Sequence, residues 1–158
     1  MLGSSTTKDQ GMIYGTMDKS IELEHWLQSF LTKYNGAAGT IHLFENGGLR
    51  LATAINIPPQ VQQVVAWVPS GKGMAGLALE RKEPVQTCNL QEDNSGNVKP
   101  GAKAVNAQAA VAVPVSDGAA GVRAVVGIAF SHEHEFTRVE LDDLTAVAST
   151  VPGSSMEG

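Results

Sequence analysis

The chain has 158 residues, a net charge of −5 and a single cysteine, and its length fits one domain. Its acidic and basic residues are interspersed, which disfavours nucleic acid as a main partner, because phosphate binding needs clustered Lys and Arg. One cysteine excludes a disulfide within the chain and suits a reducing compartment. No apolar run reaches the ~20 residues of a membrane span and no signal peptide is apparent, so we predict a soluble, cytoplasmic protein without a membrane partner.

The first predicted element is a helix that follows a flexible N-terminal segment, residues 1–17, rich in Gly, Ser, Thr and Met. Asp18 or Ser20 can cap this helix, and Asn35-Gly36 can end it. Its apolar residues recur at helical spacing and form one wide stripe: Leu23, Trp26, Leu27, Phe30, Leu31 and Tyr34. Such a stripe can serve both a core and a symmetric partner, so we expect the first and last helices to pack together and form a homodimer face.

Residues 38–57 are predicted to form an antiparallel hairpin, because alternating segments flank the turn dipeptide Asn46-Gly47. In the first strand, Ile41 and Leu43 should point to one face and His42 to the other. In the second strand, one shared face is expected for Leu49, Leu51, Thr53, Ile55 and Ile57.

The segment GKGMAG, residues 71–76, has the G-x-G-x-x-G spacing of dinucleotide-binding turns. That motif requires a strand before its glycines, whereas the preceding valines recur at helical spacing and predict a short helix: Val61, Val64, Val65 and Val68. The nucleotide-enzyme interpretation is therefore disfavoured. We expect a tight glycine turn that opens a second short helix, which carries Met74, Leu77 and Ala78 inward and ends at residues 80–82.

Beyond Pro84 the sequence predicts a short strand, VQTCNL, and then a polar loop at residues 91–106. A loop this long is either a lid or binding loop or a mobile surface loop. Two strands follow, AQAAVAVPVSD and VRAVVGIAF, and Gly127 in the second marks the close approach of another backbone or of a ligand.

A capping box at Thr137 and Glu140 predicts a closing helix, with residues 152–158 as a C-terminal tail. One side of this helix is expected to carry Val139, Leu144, Val147, Ala148 and Val151. The order of elements predicts the α+β class, with an antiparallel sheet of five to six strands. The terminal helices should cover one face of this sheet, and short helices and loops should cover the other.

Four segments together resemble the GAF domain family over residues 18–151: GTIHLFENGGLRLATAI, SGKGMAGLALERKEPV, AAVAVPV and AVVGIAFSHEHEFTRVELDDLTAVA. The resemblance implies a GAF/PAS-like sensory domain. Such a domain holds a small molecule between its sheet and its cover and signals to a partner, such as a histidine kinase or a regulator. The ligand and any cofactor are not identified by the sequence.

Several GAF subtypes are disfavoured by individual residues. Free methionine sulfoxide reductases resemble this fold, but their reactive cysteines are missing here, both at Met74-Ala75 and before the AQAAV strand. The cyclic-nucleotide pattern is broken after Phe136, and the cysteine-histidine pair of bilin attachment is absent because Asn89 follows Cys88. We therefore predict a non-catalytic domain. An enzyme on this fold and a dimerisation scaffold that binds no ligand remain the alternatives.

The predicted ligand pocket lies between the central strands and the cover formed by residues 60–106. Thr87 is favoured over its neighbour Cys88 as the side chain that faces inward. The floor has two possible registers, in which either Ala110 and Ala112 leave space or Val111 and Val113 fill it. The remaining wall is expected to include Trp67, Met74, Gly76, Leu77 and Ala78.

A small anion such as nitrate is an alternative ligand, because the glycine-rich segment resembles that of anion-sensing GAF domains. A helix start offers free N–H groups and a partial positive charge. Lys72 could add charge, Trp67 an apolar wall, and the donors would come from Gly76, Leu77 and Ala78. His132 and His134 lie beside two glutamates, but no third ligand is evident, so no metal site and no catalytic residue is predicted.

Overall fold

A computed structural model describes residues 15–87 and 107–153, and side chains from Ser20 onward. The polar loop at 91–106 and Cys88 lie outside the described residues. The elements in chain order are α1 (Gly15–Tyr34), β1 (Ala38–Glu45), β2 (Gly48–Ile55), α2 (Pro59–Val64), β3 (Trp67–Pro69), α3 (Gly73–Arg81), β4 (Val85–Thr87), β5 (Ala109–Ser116), β6 (Val122–Phe130) and α4 (Arg138–Ala148).

The strands form one six-stranded sheet in the order β3-β2-β1-β6-β5-β4, and every neighbouring pair is antiparallel. The predicted α+β class and strand number are confirmed. Among the described helices, none combines the length and the apolar character that a membrane span requires.

The main core lies between one face of the sheet and the terminal helices α1 and α4. Ile41, Val113 and Val126 from the central strands pack there against Leu27 and Leu144 from the helices. The predicted packing of the first helix against the last is also present, because the Tyr34 hydroxyl of α1 donates a hydrogen bond to Asp143 Oδ2 of α4 at 2.6 Å.

The ends of the terminal helices follow their local sequence signals. Asn35 adopts a left-handed conformation after α1, with φ of 61°, and the Gly36 N–H donates to the Leu31 carbonyl at 2.8 Å. Both hydrogen bonds of the Thr137–Glu140 capping box are present at the start of α4. The α1 helix, however, includes residues 15–17, which the sequence assigned to the flexible segment.

The expected apolar side of α4 is wrong at its first turn. Leu144, Ala148 and Val151 are buried in the core, whereas Val139 is 78% exposed. Val139 lies between the two residues of the capping box. At about 100° per residue its side chain points away from the helix face that carries Leu144 and Ala148, so it meets solvent.

The predicted β1–β2 hairpin is confirmed, but the shared face of its second strand is wrong. A β-bulge shifts the register, so that Ile41 pairs with Thr53 while His42 pairs with Leu51. Leu49 therefore packs on the cover side of the sheet, and Ile55 packs on the helix side. One extra residue in a strand reverses the direction of every later side chain.

The opposite face of the sheet is covered by α2 and α3, and the edge strand β3 joins these two helices. The valine run predicted as one helix is a six-residue helix, α2, followed by the edge strand β3. Trp67 and Val68 extend because they pair with Arg50 and Leu49 of β2, a long-range contact that outweighs local periodicity. A second, smaller core forms below α3, where Ala78 and Leu79 pack on Leu49, Val85 and Ala112.

Candidate ligand-binding site

A cavity of about 410 Å³ lies between the sheet and the α2–β3–α3 cover. This volume falls within the usual range of small-molecule sites, roughly 300–1,000 Å³.

The floor of the cavity is built from small residues on adjacent strands. Directly opposite residues in an antiparallel sheet share a face, and two such rows cross β5, β6 and β1. One row joins Ala110, Ala129 and Ala38, and the next joins Ala112, Gly127 and Thr40. Because these side chains are short, they leave the space between the sheet and the cover open.

This register decides the choice that the sequence left open. Ala110 and Ala112 face the cavity, whereas Val113 is fully buried on the helix side. Val111 borders the cavity, but its side chain also belongs to the helix-side core. The prediction of Val113 as a lining residue is therefore wrong, because the larger valines are needed to fill the core beneath α1 and α4.

The mouth of the cavity lies beside α2 and β3. Val64 and Trp67 line the cavity and yet remain 62% and 44% exposed. Lys72, just before α3, also lines the cavity with an exposed side chain. A ligand would thus meet a largely apolar opening with one cationic group.

Backbone geometry explains each glycine of the 71–76 turn. Gly71 and Gly73 have φ of 86° and 66°, a region that residues with a Cβ rarely adopt. A Cβ on Gly76 would lie closer to the Pro69 carbonyl oxygen than any real contact allows. The G-x-G-x-x-G spacing is thus accounted for by the turn itself and needs no dinucleotide.

The turn leaves three backbone donors at the start of α3. The N–H groups of Gly73, Met74 and Ala75 have no hydrogen-bond acceptor within the described part of the chain, and all three residues line the cavity. The predicted donors at Gly76, Leu77 and Ala78 are wrong, because these residues lie further along the helix. The Gly76 N–H already donates to the Lys72 carbonyl at 3.0 Å.

Only some of the other residues predicted for the ligand site line the cavity. Trp67, Lys72 and Met74 line the cavity. Gly76, Leu77 and Ala78 do not appear among its described lining residues, and Ala78 is fully buried in the smaller core. Thr87 pairs with Ala110 and so shares the cover side of the sheet, as expected, but it too lies outside the described lining.

His42 is a lining residue that the sequence prediction missed. Its side chain is only 3% exposed, and its Nε2 atom lies 2.8 Å from the carbonyl oxygen of Val65 at the end of α2. Since a carbonyl only accepts, Nε2 carries the hydrogen and Nδ1 is an acceptor. Burial lowers the pKa of His42, and the hydrogen bond to Val65 opposes this effect. The signal in the sequence was its place in strand alternation, opposite to Ile41 and Leu43.

The Nδ1 atom of His42 is buried and has no hydrogen-bond partner among the residues that the structure describes. An unsatisfied buried acceptor costs about 1–3 kcal/mol.

Within residues 15–87 and 107–153, no three His, Cys, Asp or Glu side chains meet in a way that could hold a metal ion. His134 instead pairs with Glu140, at 3.0 Å from its Oε2 atom.

Several solved structures share this fold. A GAF domain/HD domain protein from Geobacter sulfurreducens is 13% identical, with a TM-score of 0.67 and coverage of 87% of this chain and 92% of that one. A type II free methionine-R-sulfoxide reductase from Thermoplasma acidophilum is 14% identical, with a TM-score of 0.65 and coverage of 82% and 88%. The GAF domain of an Acinetobacter phosphoenolpyruvate-protein phosphotransferase is 16% identical, with a TM-score of 0.60 and coverage of 86% and 91%.

No curated protein matches the sequence. The family model of the GAF domain matches residues 22–151, which is most of the chain. The chain therefore belongs to the GAF domain family.

Proposed function

We propose that this GAF domain is a non-catalytic sensor that binds a small organic molecule in the cavity and signals its presence to a partner protein. The observation that carries the proposal is the cavity itself, because two rows of small side chains leave about 410 Å³ unfilled between the sheet and its cover. A well-packed domain without a ligand has no need for such a floor.

The same strands give a route from the cavity to the helices. Ala110 and Ala112 face the cavity, while Val111 between them packs in the core below α1 and α4. A ligand that shifts β5 would therefore also shift the packing of the terminal helices. A histidine kinase or another regulator that contacts those helices is the expected partner.

Filling the cavity from its floor tests the proposal. Small molecules are screened for those that raise the melting temperature of the wild-type domain. A ligand at 100 times its Kd stabilises the folded state by about 2.7 kcal/mol. Ala110→Leu should abolish this stabilisation, because leucine occupies the floor. Ala146→Leu, on an exposed position of α4, makes the same chemical change outside the cavity and should preserve it.

Two outcomes would contradict the proposal. One is a stabilising ligand that acts equally on the wild type and on folded Ala110→Leu. The other is a screen in which no compound stabilises the wild type. Gly76→Val is a poor alternative test, because its side chain would collide with the backbone at Pro69 rather than enter the cavity.

A small anion is a second candidate ligand, favoured by a separate observation. Three N–H groups without acceptors, at Gly73, Met74 and Ala75, lie beside the cationic Lys72 at the cavity mouth. Helix starts with free donors attract anions. In an otherwise apolar molecule with one acidic group, the acidic group would pair with the donors at the mouth, and the apolar part would contact the walls of the cavity.

We also propose that the domain forms a homodimer through the outer surface of α1 and α4. Trp26 and Tyr34 already hydrogen-bond to Thr150 and to Asp143, so these parts of the stripe serve the domain itself. Ile21 is 47% exposed on α1 and supports a contact with a second copy. A scaffold that dimerises without any ligand is the alternative that the screen above would favour if nothing binds.

A further inference from the structure

We propose that Thr40 and His42 form a polar anchor on the cavity floor, and that the ligand is a largely apolar molecule with an N–H or O–H donor for Nδ1 of His42. This inference rests on the proposed ligand-binding function and specifies the chemistry of its ligand.

Backbone pairing places the two side chains side by side. Thr40 pairs with Gly127 and His42 pairs with Val125, with no break in the β1–β6 register between them. Residues two apart in a strand share a face and lie roughly 7 Å apart. Both residues line the cavity, and together they form a polar strip along β1.

The tautomer of His42 defines what it can bind. Because Nε2 donates to the Val65 carbonyl, Nδ1 carries a lone pair, and this atom has no partner within residues 15–87 and 107–153. It can therefore accept a hydrogen bond but cannot offer one. A carboxylate or an ether oxygen placed against it would be repelled, whereas an amide, hydroxyl or ring N–H would be held.

Thr40 lies next to this acceptor with an open hydroxyl. No hydrogen bond of the Thr40 side chain occurs among the described residues, and its side chain is only partly buried. Gly127 opposite it leaves room, because a Cβ at that position would lie 2.8 Å from Thr40 Oγ1. The missing side chain at position 127 thus keeps the hydroxyl accessible from the cavity.

The surroundings of the strip make a polar match necessary. Among the described lining residues, the other polar side chains are Lys72 and the indole of Trp67, and both are exposed at the mouth. Polar atoms in an apolar floor are stable only when they are paired. The inferred ligand therefore directs a donor inward and leaves any acidic group near the mouth.

Matched pairs of small aromatic probes test the inference. Indole is compared with benzofuran, 2-naphthol with 2-methoxynaphthalene, and benzamide with acetophenone, each titrated into ¹⁵N-labelled domain and followed by NMR. Within each pair the donor compound should bind about threefold to tenfold more tightly, as expected for one buried hydrogen bond. The Nδ1 resonance of His42 should move on binding of the donor compound and stay in place with its partner.

Three variants assign the preference to the strip. His42→Phe and Thr40→Val should each reduce the preference within a pair, and Thr40→Val remains informative if the His42 variant does not fold. Thr53→Val makes the same change on the helix side of the sheet, where Thr53 pairs with Ile41, and should retain the preference.

The outcomes separate this inference from the proposed function. Equal binding of both members of each pair, abolished by Ala110→Leu, would support the cavity as the ligand site and overturn the anchor. A preference that survives His42→Phe, or an unmoved Nδ1 resonance, would also overturn the anchor. Failure of all six probes to bind would contradict both.

Discussion

The Nε2 atom of His42 lies 2.8 Å from the carbonyl oxygen of Val65, and this hydrogen bond joins the sheet to the cover of the cavity. His42 lies in the middle of β1, while Val65 is the C-cap residue directly after α2. The buried imidazole therefore ties the sheet to the cover, and its other nitrogen, Nδ1, has no hydrogen-bond partner among the described residues. The protonation state of His42 should affect the stability of the domain.

We predict that the free energy of unfolding falls as the pH drops from 7.5 to 5. Burial lowers the pKa of His42 in the folded state, whereas in the unfolded chain it keeps its ordinary value of 6.5. Below pH 6.5 the unfolded chain therefore binds more protons than the folded one, and stability decreases. Protonation would also place a hydrogen on Nδ1, and this N–H would have no acceptor among the described residues. Urea unfolding at several pH values measures the effect.

His42→Gln is the control for this pH dependence and should flatten it between pH 5 and 7.5. No carboxylate lines the described part of the cavity, and Lys72 is its charged side chain at the mouth. Glu140 acts at lower pH. Its pKa is lowered below 4.5, mainly by the Thr137 backbone hydrogen bond, so its contribution is lost only under more acidic conditions. An unchanged slope in His42→Gln would contradict the prediction.

Elements with local signals could be predicted from the sequence. The Asn46-Gly47 turn adopts positive φ at both residues, and Thr137 and Glu140 form their capping box, because each depends only on residues a few positions apart. These signals were sufficient to predict the helices and most of the strands in chain order, although β3 was missed. The place of the pocket between sheet and cover was expected from the resemblance to GAF domains.

The details of the site depend on contacts that no local pattern encodes. The bulge in β2 leaves no mark in an alternating sequence, and Trp67 extends because Arg50 lies opposite it. In β5 the residues of both faces are apolar, so hydrophobicity alone does not show which face turns to the cavity. The larger valines face α1 and α4 because they are needed to fill the core beneath these helices. His42 was missed because its partner is the backbone carbonyl of Val65, directly after α2, and the sequence does not show where a backbone carbonyl will lie.

The capping box should make a measurable contribution to stability. The Thr137 hydroxyl accepts from the Glu140 N–H at 3.2 Å, and Glu140 Oε1 accepts from the Thr137 N–H at 2.8 Å. Thr137→Ala should lower the free energy of unfolding by about 1 kcal/mol, measured by urea denaturation. Thr32→Ala, on an exposed position of α1, should change it by less than about 0.5 kcal/mol. Equal effects of the two variants would argue against a capping role.

We expect no reduction of free methionine-R-sulfoxide, although the fold is similar to that of the Thermoplasma acidophilum reductase. Cys88 is the one cysteine of the chain, and dithiol exchange within a chain requires two. Consumption of a thiol reductant should match the rate without protein, with an active reductase as the positive control. Turnover that disappears in Cys88→Ser would overturn this prediction and assign an enzymatic role to the domain.

The proposed homodimer predicts a concentration-dependent mass in light scattering. Ile21→Glu should shift the domain towards the monomer, because a charge replaces the exposed apolar side chain of α1. Gln63→Glu introduces a charge on an exposed position of α2 and should leave the mass unchanged. A wild-type domain that stays monomeric at high concentration would exclude the dimer.

The anion candidate predicts that nitrate or acetate stabilises the domain more than chloride at equal ionic strength. The free N–H groups at the start of α3 would donate hydrogen bonds to the anion, and the ammonium group of Lys72 would attract its charge. Lys72→Gln should weaken the apparent affinity about twofold to fivefold, the size of one exposed charge interaction. Lys33→Gln removes an exposed charge in the last turn of α1 and should have no effect. Only a contact at the mouth distinguishes Lys72 from Lys33. An equal loss of affinity in both variants would therefore indicate attraction by the overall charge of the domain. An unchanged affinity in both variants would place the anion away from the mouth.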